Sequence, residues 1–149
     1  MSLAAHLQGQ RARLEHLVSL LREEQQLLAR DRVDGERLGH IAGEKQEQLA
    51  AIDSFEAQRR AAQQRLGYAQ GRAGAEQAAR EAGCLPVWQG IDRLAQDAAH
   101  LNTLNGELVH MRLDHNQRML NFLREAAGSH LYGPDGQSRK NQGQVNSRA

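Results

Sequence analysis

Cysteine is almost missing from this sequence: Cys84 is the single one in 149 residues. No disulfide can form within the chain, and no second cysteine stands near it in metal-ligand spacing. Proline is rare as well, with Pro86 and Pro134 the two examples, so long helices can run unbroken. Aromatic residues make up 3% of the chain, and mean hydropathy is −0.70. That is too little bulk for a broad globular core. It suits long helices whose leucine and alanine stripes pack on one another. An excess of one charge is also absent, since 19 Lys+Arg face 18 Asp+Glu for a net +1. Such a balance gives no pull toward nucleic acid. No apolar run approaches the roughly 20 residues that a membrane span needs, so no membrane insertion is expected. Met1 to His6 lack the charged start and long apolar stretch of a signal peptide, and we expect a cytoplasmic protein. Glycine is the exception to this scarcity. Its 14 copies argue against an idealised bundle, because each costs about 1 kcal/mol in a helix interior.

What is present is helical periodicity. Leu7, Gln10, Leu14, Leu17, Leu21, Glu24 and Leu28 alternate steps of three and four, one stripe along a helix over about 3–31. Leu3, Val18, Leu20 and Leu27 broaden it, while Arg11, Glu15, Arg22 and Glu23 fall on the opposite, solvated side. Asp34 is a candidate N-cap for a second helix over about 35–66. The second stripe is Leu38, Ile41, Lys45, Leu49, Ile52, Phe55, Arg59, Ala62 and Leu66. So short a connection makes the two helices an antiparallel hairpin. Glycine-dense sequence follows from Gly67 to Cys84, with a short helix at 75–82 whose apolar face is poor. We expect a weakly anchored, mobile connector there.

Pro86 then opens a third long helix, expected over about 86–127, with Gly128 as candidate C-cap. Its stripe is Ile91, Leu94, Ala98, Leu101, Leu104, Leu108, Met111, His115, Met119, Phe122 and Leu123. At 1.5 Å per residue it spans roughly 60 Å, against about 45–50 Å for a hairpin arm, which leaves an end unpaired. The expected architecture is all-α: a long antiparallel hairpin with a third long helix packed on it, coiled-coil-like, in one domain over 1–131. Gly133-Pro134-Asp135-Gly136 is a turn sequence, and the polar remainder makes 132–149 a flexible tail.

Little here carries chemistry. Glu107-Leu108-Val109-His110 is a Glu-x-x-His element, which some di-metal helical bundles use. Such sites need a second copy on another helix, and Asp97-Ala98-Ala99-His100 lies on the same one. His110 also points away from the leucine stripe. The seven histidines show no ligand spacing, and Gly133 to Gly136 is not a phosphate loop. No catalytic residue, metal or cofactor is expected, and the chain reads as a binding protein, not an enzyme. Polar residues interrupt the stripes at Lys45, Arg59, Asn105, Arg112 and His115. Either they are buried contacts that set register, or their charged ends reach water; for Lys45, Arg59 and Arg112 we favour the second. The apolar run Met119-Leu120-Asn121-Phe122-Leu123, then Leu131-Tyr132, either caps the core or offers a face to a partner's amphipathic helix.

The order of these features resembles the FlgN family of flagellar export chaperones. The likeness rests on Leu14-x-x-Leu17-x-x-x-Leu21-x-x-Glu24, on Asp34, Glu36 and Leu38, and on Lys45 and Arg59. It continues with Asn102-x-x-Asn105-Gly106-x-Leu108 and Leu131-Tyr132-Gly133-Pro134-Asp135-Gly136, covering about 3–137. The glycine-dense region around Gly67 to Gly83 departs from it. The resemblance implies a cytoplasmic, substrate-specific chaperone of the flagellar type III export apparatus. Its clients would be the C-terminal helices of the hook–filament junction proteins FlgK and FlgL, which it holds unassembled and brings to export apparatus components. The binding face would comprise Leu108, Met111, Met119, Leu120, Phe122, Leu123, Leu131 and Tyr132. The reading from another class is a self-assembling structural coiled coil or adaptor, with a homodimer as the partner.

Overall fold

The computed structural model describes residues 2–132, with side chains described through residue 128. It contains four helices: α1 (Leu3–Leu28), α2 (Gly35–Arg65), α3 (Arg72–Glu81) and α4 (Leu85–Tyr132), and no strand among the described residues. The all-α expectation therefore holds. None of these helices is long and apolar enough to cross a membrane. The chain divides into two compact units, Met1–Leu108 and Val109–Ala149. Tyr132, the first residue of the expected tail, is instead the last of α4; residues 133–149, with the Gly133–Gly136 turn, lie outside the described residues.

In the first unit, α1 is the centre. Leu7, Leu14, Leu17, Val18 and Leu21 are buried with Trp88, Ile91 and Ala98 of α4 and Ala75 and Ala79 of α3. A second cluster joins Leu20 and Leu27 of α1 to Ile41 of α2. Each fully buried leucine contributes about 1.5–3 kcal/mol relative to exposure. The hairpin is set by local chemistry: Ser2 caps α1 by accepting from the Ala5 amide, and Asp34 caps α2 by accepting from the Arg37 amide. Arg37 then reaches back to Glu23 of α1 with two hydrogen bonds of 2.6 and 2.8 Å.

The stripe on α2 is shifted from the expected one. Ile41 is fully buried, but Leu49 and Leu66 are exposed, and Gln48 and Gln63 are buried in their place. A helix that packs on one neighbour hides a narrow seam, and polar side chains with interior partners take positions in it. Gln63 does so by donating to the carbonyls of Ala69 and, at 3.3 Å, Gly71.

The connector expected to be weakly anchored and mobile is instead packed in place through α3. Gly74, Ala75, Ala78 and Ala79 of α3 are buried, and Ala75 and Ala79 belong to the main core. Alanine looked like a poor apolar face because it is small. Its size is what lets a short helix approach α2 closely and set Ala75 and Ala79 into the core beside α1. Gly74 packs against the connector itself, since a Cβ there would strike the Ala69 carbonyl and lie 2.7 Å from the Gln63 amide nitrogen. Gly67 and Gly83, which take positive φ after α2 and α3, supply the left-handed residues that end those helices.

α4 runs past its expected end to Tyr132, and Gly128 is not among the positive-φ glycines. It is an interior helix residue, not a cap. Ionic contacts tie the elements of the first unit. Asn105 donates at 2.8 Å to the Leu21 carbonyl and at 2.8 Å to Glu24, which also accepts from Lys45 at 3.1 Å. At the other end, Glu56 accepts from Gln10 at 2.9 Å and from Arg59 at 3.1 and 2.8 Å. Arg59 also donates to Gln63 at 2.6 Å and stacks 5.1 Å from the Trp88 ring centre. So Lys45 and Arg59 do not put their ends in water. Their side chains are 19% and 11% exposed and are paired, because carboxylates from α1 and α2 are placed to meet them. His6 Nε2 lies 2.9 Å from the Phe55 carbonyl, which only accepts, so this nitrogen carries the proton.

Candidate partner-binding surface

The second unit contains the C-terminal stretch of α4. From Val109 to Ala127 every side chain is exposed except Arg112, which is half-buried. Seven large apolar residues there are between 42% and 66% exposed. Stepping about 100° per residue, Met111, Met119, Phe122 and Leu123 form one stripe. Val109, Leu113 and Leu120 form a second beside it. Together they occupy an arc of roughly 200°. The opposite side carries His110, Asp114, Gln117, Arg118, Asn121, Arg124 and Glu125. Arg118 pairs with Asp114 at 2.6 Å, and Gln117 donates to Asn121 at 3.1 Å, both one turn apart. Such pairs support a helix that has little burial of its own.

Of the residues expected to bind a partner, the structure brings Met111, Met119, Leu120, Phe122 and Leu123 together as exposed side chains on one helix. Leu108, the last residue of the first unit, is half-buried. The side chains of Leu131 and Tyr132 lie outside the described residues. Val109 and Leu113 were missed by the sequence reading. Their signal was available: Val109, Leu113 and Leu120 repeat at steps of four and seven, parallel to the leucine stripe. Arg112, His115 and Asn116 interrupt the arc, and an exposed apolar face of this width is a candidate interaction site.

Glu107 and His110 are both exposed, and His115 is exposed as well. Among the described residues no group of three or more His, Cys, Asp or Glu is placed to hold a metal ion.

An all-helical protein that presents an apolar helix face is a class with many members, and comparison narrows it. The family model described as FlgN protein matches residues 1–140, and the chain belongs to that family. It is 34% identical over 125 residues to the flagella synthesis protein FlgN of Salmonella typhimurium, covering 84% of this chain and 81% of that one. The protein of the same name from Yersinia enterocolitica is 30% identical over 141 residues, 92% of this chain and 89% of the relative. That from Proteus mirabilis is 28% identical over 131 residues, 88% and 86%. No solved structure gives a significant match. Family membership ties the chain to flagella synthesis, and the fold to a helical bundle.

Proposed function

We propose that this protein is a cytoplasmic, substrate-specific chaperone of the flagellar type III export system. It binds the C-terminal helices of the junction proteins FlgK and FlgL, prevents their premature assembly and hands them to export apparatus components. The observation that carries the reading is the apolar arc on α4 from Val109 to Leu123, exposed on a chain of the FlgN family. A subunit helix that is apolar on one face aggregates or polymerises when exposed, and a chaperone helix shields it by lending a matching stripe. Methionine and leucine suit a complex that must come apart again, because they repack on varied surfaces with little strain. The role needs no catalysis, nucleotide or metal.

The test is a pull-down with the C-terminal segments of the junction proteins. Leu120→Glu with Leu123→Glu abolishes recovery of both segments, while circular dichroism shows helicity retained, since glutamate is a good helix former. Equal recovery from the double variant and the parent would remove this face from the function. The competing reading, self-assembly through the same stripe, predicts a mass in light scattering that rises with concentration.

A further inference from the structure

A second apolar feature lies wholly within the first unit and is separate from the arc on Val109–Leu123. Two open hollows of about 460 and 260 Å³ share Leu14, Ile52 and Ala95, so they form one trough. Its floor is α1, at Leu14, Leu17 and Leu21. One wall is α2, where Leu49 is 41% exposed despite its place in the apolar stripe. The other wall is α4, where Ala95, Ala98 and Ala99 present methyl groups and no bulk at one end, and Trp88, Ile91 and Asp92 line the other. α2 and α4 thus both lean on α1 without filling the space between them. Along α4 the trough runs from Trp88 to Asn102, roughly 21 Å or four helical turns. A helix laid there would complete a four-helix arrangement.

The charges on the trough select its occupant. Lys45, Arg59, Arg60 and Arg72 line it, against Glu56 and Asp92. Lys45 is taken by Glu24, Arg59 by Glu56 and Arg72 by Asp92. Arg60 has no ion pair among the described residues, so the lining is net positive. A second copy's α4 fits this poorly: over Val109–Ala127 it carries Arg112, Arg118 and Arg124 against Asp114 and Glu125. The chain's own residues 133–149 fit no better, with Arg139, Lys140 and Arg148 against Asp135. Like charges at a groove edge reject a segment that would otherwise fit.

We propose that the trough between α2 and α4 seats a fourth helix supplied by another protein: an amphipathic segment of about four turns, with a narrow alanine and leucine seam and carboxylates on the flank that meets Arg60. The alanines of α4 opposite Leu49 set the narrow seam, and the exposed Leu49 is the side chain the seam covers. This surface does not depend on the chaperone reading, because none of its residues lies in Val109–Leu123.

The test uses the isotope-labelled full chain and two helix-stapled peptides of roughly 15 residues, stapled because short helices are marginal in water. Both carry the same alanine and leucine seam; one is flanked by glutamate, the other by lysine. The glutamate peptide should shift the resonances of Leu49, Ile52 and Ala99 and the lysine peptide should not. Arg60 is exposed, and circular dichroism checks that Arg60→Glu, which also removes a charge acting on Glu56, keeps its helicity. This change should weaken the glutamate peptide by up to about fivefold and give the lysine peptide a measurable affinity. Equal binding of both peptides, binding of neither, or shifts confined to Val109–Ala127 would overturn the proposal. So would shifts at Leu49 and Ala99 that follow chain concentration without peptide, which would make a second copy the occupant.

Discussion

Glu56 accepts three side-chain hydrogen bonds, one from Gln10 and two from Arg59. Its carboxyl is held below the usual carboxylate range, first by the hydrogen bond from Arg59, against the opposing effect of burial, and then by Gln10 and by the charges of Arg59 and Arg60. A carboxyl lowered on folding stabilises fully above its ordinary pKa and loses that contribution as pH falls toward the lowered folded value. In urea titrations the parent should therefore exceed Glu56→Gln in stability at about pH 6, and the gap should narrow as pH falls below the ordinary carboxylate pKa toward the lowered folded one. A gap that widened on acidification would contradict the sign. Asn105 is a different case. Its amide nitrogen has two acceptors, but its buried oxygen has no partner among the described residues. Asn105 joins α4 to the Leu21 and Glu24 level of α1, so it sets register at some cost in stability. Asn105→Ala removes a bond to a charged acceptor and should lower stability by about 1–2 kcal/mol in the same assay.

At the scale of elements, α3 and α2 carry the lesson. The alanine-rich segment after Gly67 has no bulky side chains, and its helix docks because of that, not in spite of it. Gly74→Ala should force α3 away from the Ala69 carbonyl and lower stability by about 1–3 kcal/mol. Trp88 shares a small cavity with Ala75 and Ala78 and is the only tryptophan, so its fluorescence reports the displacement directly. In α2 the burial concentrates on few residues. Ile41→Ala, at a side chain with no exposure, should cost about 2–5 kcal/mol, while Leu66→Ala at an exposed site should change stability by less than about 0.5 kcal/mol. Equal effects at the two positions would mean that the packing of α2 differs from that described.

For the whole molecule, the two units differ in what holds them. Residues of α4 from Trp88 to Asn105 insert side chains into the core, whereas those from Val109 to Ala127 are exposed or, at Arg112, half-buried. Amide protection follows burial and cooperative packing. Hydrogen exchange followed by mass spectrometry should show 109–127 exchanging faster than 91–105 in the free protein. Uniform protection along α4 would count against the division into units.

Periodicity made the long helices legible, because steps of three and four need no knowledge of a neighbour. The Asp34 cap and the stripe of α1 could be read directly, since both depend on residues within a few turns. Met111, Met119, Phe122 and Leu123 were legible for the same reason. Other features depend on distant partners. Whether Leu49 or Gln48 turns inward is decided by where α1 and α4 lie. Whether Lys45 and Arg59 reach water is decided by Glu24 and Glu56. Whether the stretch from Gly67 to Cys84 anchors is decided by how closely backbone can approach backbone. The sequence alone thus determined which faces are apolar and where helices begin. Tertiary structure decided which of those faces are covered, because burial belongs to pairs of surfaces and no single helix carries that information.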